Sequence, residues 1–230
     1  FVDREHTPKD EDGNYDFESL YAMDLEFLNK QLNELLEGKE VEVPRFDFKT
    51  GNRIFEGNKL RLEDKDILIM EGIHALNPEM TSAVDDSRIF RVYVSALTSL
   101  NIDENNNMST SDNRLLRRMV RDNRVRGITP EETIMRWNSV RRGESKNIFP
   151  FQENADALFN SALIFELPML KYYAEPLLRR IAPNSPAYTE AVRLLKFLDY
   201  IVELQPSEIA AIPPTSIMRE FIGGQTLTRD

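Results

Sequence analysis

The most unusual chemistry in the sequence is a concentration of arginine within an otherwise acidic chain. Nine arginines and three acids lie between residues 114 and 142. On a helix with about 100° per residue, five of these arginines fall within a roughly 120° arc, opposite the apolar side chains. The five are Arg114, Arg117, Arg118, Arg121 and Arg124. Arg126-Gly127 closes this predicted helix, and Thr129-Pro130-Glu131-Glu132 begins the next.

This stripe of guanidinium groups has three interpretations. Like charges on one face repel each other, and a guanidinium group fits phosphate oxygens through two parallel hydrogen bonds, which favours nucleotide binding. The same pattern is typical of a solvated face whose arginines pair with acids elsewhere in the chain. The third interpretation is contact with the phosphate backbone of RNA.

A second candidate is Glu71, which directly follows the apolar run at residues 67–70. The run predicts a strand that is buried on both faces, and ligands of parallel sheets gather at the carboxyl ends of strands. Glu71 is therefore a candidate partner of Mg²⁺ or of its water shell, and a helix-capping carboxylate is the alternative. His74 is either a substrate contact or a hydrogen-bonded structural histidine.

Aromatic and basic side chains share the segment at residues 44–53. Phe46 and Phe48 fall on one face of a predicted strand because side chains alternate, which suits either stacking on a base or core packing. Arg53 follows the predicted turn Thr50-Gly51-Asn52. Asp16 opens a predicted helix, where it would act as an N-cap or as a substrate ligand.

These residues require a scaffold of alternating strands and helices. Three apolar runs predict buried strands, at residues 67–70, 89–94 and 162–165. Helical periodicity follows at residues 112–126, 130–141, 168–182 and 187–204. The alternation predicts an α/β fold with a mainly parallel sheet, and the segment from Pro183 to Pro186 predicts a boundary before a C-terminal helical appendage.

Composition narrows the class of protein. The chain has no cysteine, which excludes a disulfide scaffold, a thiolate metal site and a cysteine nucleophile. No apolar run approaches the roughly 20 residues that span a bilayer, so we expect a cytoplasmic protein without a membrane partner. With 29 basic and 39 acidic residues, the net charge of −10 disfavours nucleic-acid binding by the surface as a whole.

Five motifs, taken in order, resemble the uridine kinases of the phosphoribulokinase/uridine kinase family of P-loop kinases. They are Asp3-Arg4-Glu5 with Thr7-Pro8, Asn14-Tyr15-Asp16-Phe17, VPRFDF at 43–48, Glu71-Gly72-Ile73-His74, and the arginine segment from Arg114 to Gly127. The resemblance covers roughly residues 1–182, and the tail looks like that of the longer bacterial members. It implies a P-loop NTPase-like three-layer fold, with a kinase domain at 1–183, an Arg-rich helical lid at about 110–145 and a C-terminal helical extension at 184–230.

The resemblance implies transfer of the γ-phosphoryl group of ATP or GTP to the 5′-hydroxyl of uridine or cytidine, with Mg²⁺ as cofactor. Asp16 would hold the ribose hydroxyls, and Tyr15 and Phe46 would line the base site. The implied catalytic residues are Glu71, which would lie near Mg²⁺, and Arg118 and Arg121 at the sugar and the phosphates. The remaining implied residues are Arg53 and His74 at the substrate, and Arg117, Arg124 and Arg126 in the nucleotide-binding lid.

The sequence departs from the family pattern in four respects. No G-x-x-x-x-G-K-[ST] phosphate loop occurs in it, and the family's catalytic aspartate belongs just before the residue matching Phe1. We therefore expect this chain alone to be inactive and the intact parent protein to be active. Gly51 stands where uridine–cytidine kinases carry a histidine, so that base recognition would pass to another residue such as Arg53. Ile128 stands where the family often has another arginine.

Other functions remain compatible with the sequence. One is an RNA-binding or regulatory module that uses the arginine stripe on a phosphate backbone. Another is a P-loop kinase for a different small alcohol, and a third is a degenerate kinase fold that serves as an interaction scaffold. Self-association into a homo-oligomer is compatible with each of them.

Overall fold

The computed structural model describes residues 1–10, 13–47, 50–98, 104 and 109–226. These residues form two units, and each unit is built from two segments that are distant in sequence. Unit 1 consists of Phe1–Tyr93 with Arg142–Leu158, and unit 2 consists of Val94–Arg141 with Phe159–Asp230. The predicted boundary at residue 183 lies inside unit 2.

Helices make up most of the regular structure. The α-helices are α1 (Leu25–Leu36), α2 (Thr110–Arg126), α3 (Pro130–Asn147), α4 (Glu166–Leu178), α5 (Tyr188–Leu198), α6 (Pro206–Ala210) and α7 (Met218–Ile222). Short 3-10 helices lie at Arg4–His6, Leu20–Ala22, Pro78–Thr81, Asp86–Arg88 and Phe149–Asn154. The helices predicted at 112–126 and 130–141 are confirmed as α2 and α3. Within the described part of the chain, no helix combines the length and apolar character needed to cross a membrane.

The strands are short and form three two-stranded sheets in the described residues. They are β1 (Val41–Glu42), β2 (Arg45–Asp47), β3 (Asn52–Ile54), β4 (Lys59–Leu60), β5 (Val92–Ser95) and β6 (Ala157–Asn160). β1 pairs with β4 and β2 with β3, both antiparallel, and the predicted turn Thr50-Gly51-Asn52 leads into β3 of the β2–β3 hairpin. The Ala157 N–H donates to the Arg91 carbonyl and the Ser161 N–H to the Ser95 carbonyl, so β5 and β6 run parallel. The fold is α/β with a small parallel sheet.

Two predicted strands are wrong. Residues 67–70 lie outside any strand, and Ile67 and Ile69 are 85% and 86% exposed. Residues 162–165 form irregular backbone and a turn, and β6 ends just before them. An apolar run becomes a fully buried strand only where neighbouring strands and helices cover it, and no described strand pairs with residues 67–70. The parallel sheet is therefore smaller than the mainly parallel sheet of the expected three-layer fold.

Helix α1 organises unit 1. The Asp24 side chain caps it by accepting the N–H of Phe27 at 3.0 Å. The buried Asn29 side chain donates to the Met80 carbonyl at 3.2 Å and accepts the Ala83 N–H at 3.0 Å. These hydrogen bonds fix the segment after residue 74 against α1.

Unit 2 has a continuous apolar core. Its fully buried members come from α2, α4, α5 and α7 and include Leu115, Leu116, Met119, Met169, Leu170, Leu194, Leu198 and Met218. Helix α2 begins at the N-cap Ser109 and ends at Gly127, whose φ of +64° suits the left-handed C-cap conformation. Because α5 and α7 share this core with α2, the C-terminal segment is an integral part of unit 2.

Candidate active site

The loop before α1 in unit 1 presents the Asp16 carboxylate. Its Oδ1 accepts the Glu18 N–H at 3.1 Å, and its Oδ2 lies 3.6 Å from the Nζ of Lys146. Asp24, and not Asp16, caps the first helix, so the capping role considered for Asp16 is wrong. Tyr15 is 40% exposed beside it. The loop therefore offers a carboxylate and an aromatic ring at the surface of unit 1.

His74 is buried in the same unit. The residue is 6% exposed, and its Nδ1 has no hydrogen-bond partner in the described part of the chain. Burial lowers the pKa of the imidazole below its ordinary value, although the Glu18 backbone and the Asp16 charge oppose the shift. His74 is therefore a neutral imidazole near Asp16 with one nitrogen available for a hydrogen bond.

Arg53 on β3 is held by structural contacts. Its Nη2 donates to the Asp24 Oδ2 at 2.8 Å, and its guanidinium lies 5.0 Å from the ring centre of Phe27. The backbone N–H of Arg53 donates to the Asp3 Oδ1 at 2.9 Å. Burial opposes ionisation of the Asp24 carboxyl, but the Phe27 N–H and the Arg53 guanidinium outweigh it and lower the pKa of Asp24. Arg53 thus links the hairpin to the start of α1.

The β2–β3 hairpin places Phe46 against another ring. The centroids of Phe46 and Phe1 lie 5.4 Å apart in an edge-to-face arrangement. Phe48, the predicted partner of Phe46 on the strand, lies outside the described residues. Gly51 in the turn has a φ of +77°, and a Cβ there would lie 2.7 Å from the Arg4 Nε. The local backbone and the nearby Arg4 side chain therefore favour a glycine at this position.

Glu71 is an exposed carboxylate just past residues 67–70. Among the described residues, no group of three or more histidines, cysteines and acids has the arrangement of a metal centre. Mg²⁺ bound with a nucleotide keeps several waters and takes only one or two protein carboxylates besides the phosphate oxygens. A single carboxylate therefore fits a Mg²⁺ that arrives with the nucleotide and does not fit a resident metal centre.

Three of the predicted phosphate-binding arginines surround one carboxylate in unit 2. The side chain of Asp122 is 1% exposed, and its oxygens lie 3.2 Å from the Arg118 Nε, 3.1 Å from the Arg121 Nε and 3.1 Å from the Arg126 Nη1. The three guanidinium groups are partly exposed. Glu220 lies 3.8 Å from Arg121, but two carboxylates do not neutralise three guanidinium groups, so the cluster is suited to receive a further anion.

Arg117 is buried, which corrects the expectation that the whole arginine stripe lies opposite the apolar face. Its Nε and Nη2 bind the two carboxylate oxygens of Glu166, and Nη2 also donates to the Ser161 carbonyl at 3.1 Å. The Arg117 guanidinium lies 5.2 Å from the ring centre of Phe221. These contacts make Arg117 part of the interior of unit 2.

Arg124 contacts the C-terminal helix. Its Nε donates to the Phe221 carbonyl at 3.0 Å and its Nη2 to the Glu220 carbonyl at 2.8 Å. Carbonyls in the last turn of a helix lack intrahelical partners, and cationic side chains satisfy them. Arg124 therefore completes the end of α7.

Most of this chain matches one family of kinases. The family model described as "Phosphoribulokinase / Uridine kinase family" matches residues 2–164. The chain belongs to the phosphoribulokinase/uridine kinase family. The match includes every predicted site residue from Tyr15 to Arg126, and it ends before α4.

Relatives confirm the family membership. The uridine kinase of Staphylococcus epidermidis is 30% identical over 159 residues, which cover 69% of this chain and 68% of the relative. The uridine kinase of Brevibacillus brevis is 28% identical over 159 residues, with 69% and 66% covered. The uridine kinase of Streptococcus equi subsp. zooepidemicus is 29% identical over 140 residues, with 61% and 59% covered. Membership of the phosphoribulokinase/uridine kinase family identifies a phosphotransferase and confirms the prediction drawn from the motifs.

Two acids of this family member were not foreseen from the sequence. Asp122 lies four residues from both Arg118 and Arg126, and this helical spacing is a signal that could have identified it. Glu166 lies 49 residues from Arg117, and no local pattern links the two. The roles of the predicted residues at a substrate remain predictions.

Proposed function

We propose that this protein is a nucleoside kinase that transfers the γ-phosphoryl group of ATP or GTP to the 5′-hydroxyl of uridine or cytidine. Membership of the family supports a kinase, and relatives named uridine kinase support a nucleoside acceptor. The main observation behind the proposal is the cluster of Arg118, Arg121 and Arg126 around Asp122. It gives this member of a kinase family a group of cations that is suited to binding a triphosphate.

On the acceptor side, Asp16 and His74 hold the nucleoside in this proposal. A carboxylate has about four lone-pair sites, so Asp16 keeps acceptor capacity for ribose hydroxyls beyond the Glu18 N–H and Lys146. The Nδ1 of His74 lacks a partner in the described residues, and because the N–H of the neutral ring faces the Glu18 backbone, Nδ1 can accept a hydrogen bond from a substrate hydroxyl. The rings of Tyr15 and Phe46 supply flat apolar surface for the base.

On the phosphate side, the arginines neutralise charge. Phosphoryl transfer proceeds with charge spread over the phosphoryl oxygens, so catalysis consists mainly of positioning and electrostatic stabilisation. Arg118, Arg121 and Arg126 provide both, since Asp122 orients them before the nucleotide binds. Glu71 would hold Mg²⁺ directly or through water, and the ion when bound would neutralise charge on the phosphates.

The proposal extends to the organisation of the chain. The segment at about 110–145 is the arginine-bearing lid, residues 1–183 form the kinase domain, and residues 184–230 form a C-terminal extension that packs into the core of unit 2. The cytoplasm is the proposed compartment, and a nucleoside and a nucleoside triphosphate are the proposed partners.

The test is a phosphotransfer assay with radiolabelled ATP on the full natural protein that contains these residues. Uridine or cytidine should accept the label, and ribulose 5-phosphate should not. Asp16→Asn should raise KM for the nucleoside by about 10- to 100-fold, the effect of losing a charge-assisted hydrogen bond, and leave KM for ATP unchanged. Arg126→Gln should raise KM for ATP instead. Asp64→Asn removes the same charge at an exposed position and should change neither.

Three results would overturn the proposal. Equal turnover of ribulose 5-phosphate would assign the site to a different small alcohol. Binding of an RNA oligonucleotide with steep salt dependence, without nucleoside phosphorylation, would assign the arginines to a nucleic acid. Absence of all phosphotransfer in the full natural protein would leave only a scaffold.

A further inference from the structure

The C-terminal helix α7 lies directly on the arginine helix α2 in unit 2. Phe221 is 7% exposed and its ring faces the Arg117 guanidinium, with 5.2 Å from the guanidinium carbon to the ring centre. The Phe221 and Glu220 carbonyls accept hydrogen bonds from Arg124 at 3.0 and 2.8 Å. Since α7 follows residue 164, this contact comes from a part of the chain beyond the family match.

The contact also brings a carboxylate to a predicted phosphate ligand. The Glu220 Oε1 lies 3.8 Å from the Arg121 Nη1, and the two side chains are 35% and 26% exposed. Arg121 binds Asp122 through its Nε at 3.1 Å. Asp122 therefore orients Arg121 from one side, while Glu220 occupies another edge of the same guanidinium group.

The position of Glu220 does not depend on its carboxylate. Arg219 donates from its Nε to the Ile212 carbonyl at 3.1 Å and from its Nη2 to the Ala210 carbonyl at 3.2 Å. Met218 is completely buried, and Arg124 binds backbone carbonyls of α7. The helix is thus anchored by the Arg219 side chain, by its own backbone carbonyls and by Met218, and neutralising Glu220 removes a charge while it keeps these contacts.

We propose that Glu220 is a positioning residue that competes with the nucleotide phosphates for Arg121. In the free protein the carboxylate balances part of the positive charge of the arginine cluster. Nucleotide binding exchanges this weak, partly exposed pair for phosphate oxygens, so α7 sets the affinity for the triphosphate. The inference rests on the proposed function, because it requires Arg121 to bind phosphate.

The test is Glu220→Gln in the full natural protein, with Mg·ATP binding measured by calorimetry and with steady-state kinetics. A partly exposed ion pair contributes modestly, so Kd and KM for ATP should fall by about two- to fivefold. KM for the nucleoside should stay unchanged, which a general loosening of the fold would not produce. Glu203→Gln removes the same charge from an exposed position of the C-terminal segment and should leave the ATP affinity unaltered.

A double-mutant cycle identifies the route of the effect. In an Arg121→Gln background, Glu220→Gln should no longer change the ATP affinity, because its partner is absent. Unchanged or weaker ATP binding in Glu220→Gln overturns the competition and leaves the kinase proposal intact. An equal gain in Glu203→Gln also overturns it, since net charge would then be the cause. Failure of the unsubstituted protein to bind ATP overturns both proposals.

Discussion

Replacement of Glu166 by glutamine tests whether Arg117 is a structural residue. The Glu166 side chain is 1% exposed and that of Arg117 is 9% exposed. The carboxylate also accepts the Leu163 N–H at 3.2 Å. Glutamine keeps the shape but leaves the guanidinium without a counter-charge, and breaking a buried pair in this way costs about 3–5 kcal/mol. That is a large part of the ~5–15 kcal/mol by which a native protein is stable.

The assay is urea and thermal unfolding followed by the fluorescence of Trp137. This is the single tryptophan of the chain, and it lies in the core of unit 2, so it reports on the unit that contains the pair. At about 2–4 °C per kcal/mol for a chain of this size, Glu166→Gln should lower Tm by about 6–20 °C. Glu175→Gln is the control on the same helix, because Glu175 pairs with Arg179 at 2.6 Å, where the arginine is 59% exposed, and with Lys171 only at 3.8 Å. That change should cost at most about 1 kcal/mol.

A double substitution sharpens the result. Arg117→Met combined with Glu166→Leu removes both charges and should recover most of the stability lost in Glu166→Gln, since apolar pairs often replace buried ion pairs without loss. If Glu166→Gln were no more destabilising than Glu175→Gln, the ion pair would not be a desolvated structural contact. Arg117 would then be available for the nucleotide, as the sequence predicts.

Two further predictions concern unit 1. Because burial lowers the pKa of His74 below 6.5, the unfolded chain binds this proton more readily than the folded chain, so stability is complete above about pH 6.5 and decreases as the pH falls below it. His74→Gln should reduce the slope of Tm against pH, whereas His6→Gln, at an exposed position, should keep it. An unchanged slope in His74→Gln would refute the assignment of this pH dependence to His74. Asp24→Ala should destabilise unit 1 by about 1–2 kcal/mol in thermal unfolding followed by circular dichroism, through loss of the cap of α1 and of the Arg53 partner. Asp24→Asn retains a capping oxygen and should lose less, and an equal loss in both variants would exclude the cap as the cause.

The helices could be predicted because their signals are local. Helix α2 has apolar side chains at helical spacing and a glycine at its end, and α3 begins with Thr129-Pro130, where the Thr129 side chain accepts the Glu132 N–H at 3.2 Å. The strands could not be predicted as well. The apolar side chains at 67–70 specify a buried strand only if other segments cover them, and that information is not contained in the run itself.

The candidate site likewise combines features that the sequence shows with features that only the tertiary structure shows. The residue types near Asp16 and on α2 are visible in the sequence, and the family follows from their order. The partners that determine their state are tertiary contacts. Arg53 was expected at the base, but its guanidinium binds Asp24, which comes from a different element. Glu166 stabilises Arg117 from the start of α4, at a distance along the chain that no periodicity reports.

Helix α2 shows why two interpretations of its arginine stripe are compatible, namely phosphate binding and structural pairing within the chain. At about 100° per residue, Arg117 and Arg124 lie within roughly 60° of Val120, at the edge of the arc that borders the core. These two bind Glu166 and the carbonyls of α7, as a structural interpretation requires. Arg121 lies about 100° from Val120, and Arg118 lies at the opposite edge of the arc, about 60° from Leu115. Both share Asp122 and remain partly exposed. Substitutions of Arg117 and Arg124 should therefore mainly lower stability, whereas substitutions of Arg118 and Arg121 should mainly raise KM for ATP. A helix that served only one purpose would show the same effect at all four positions.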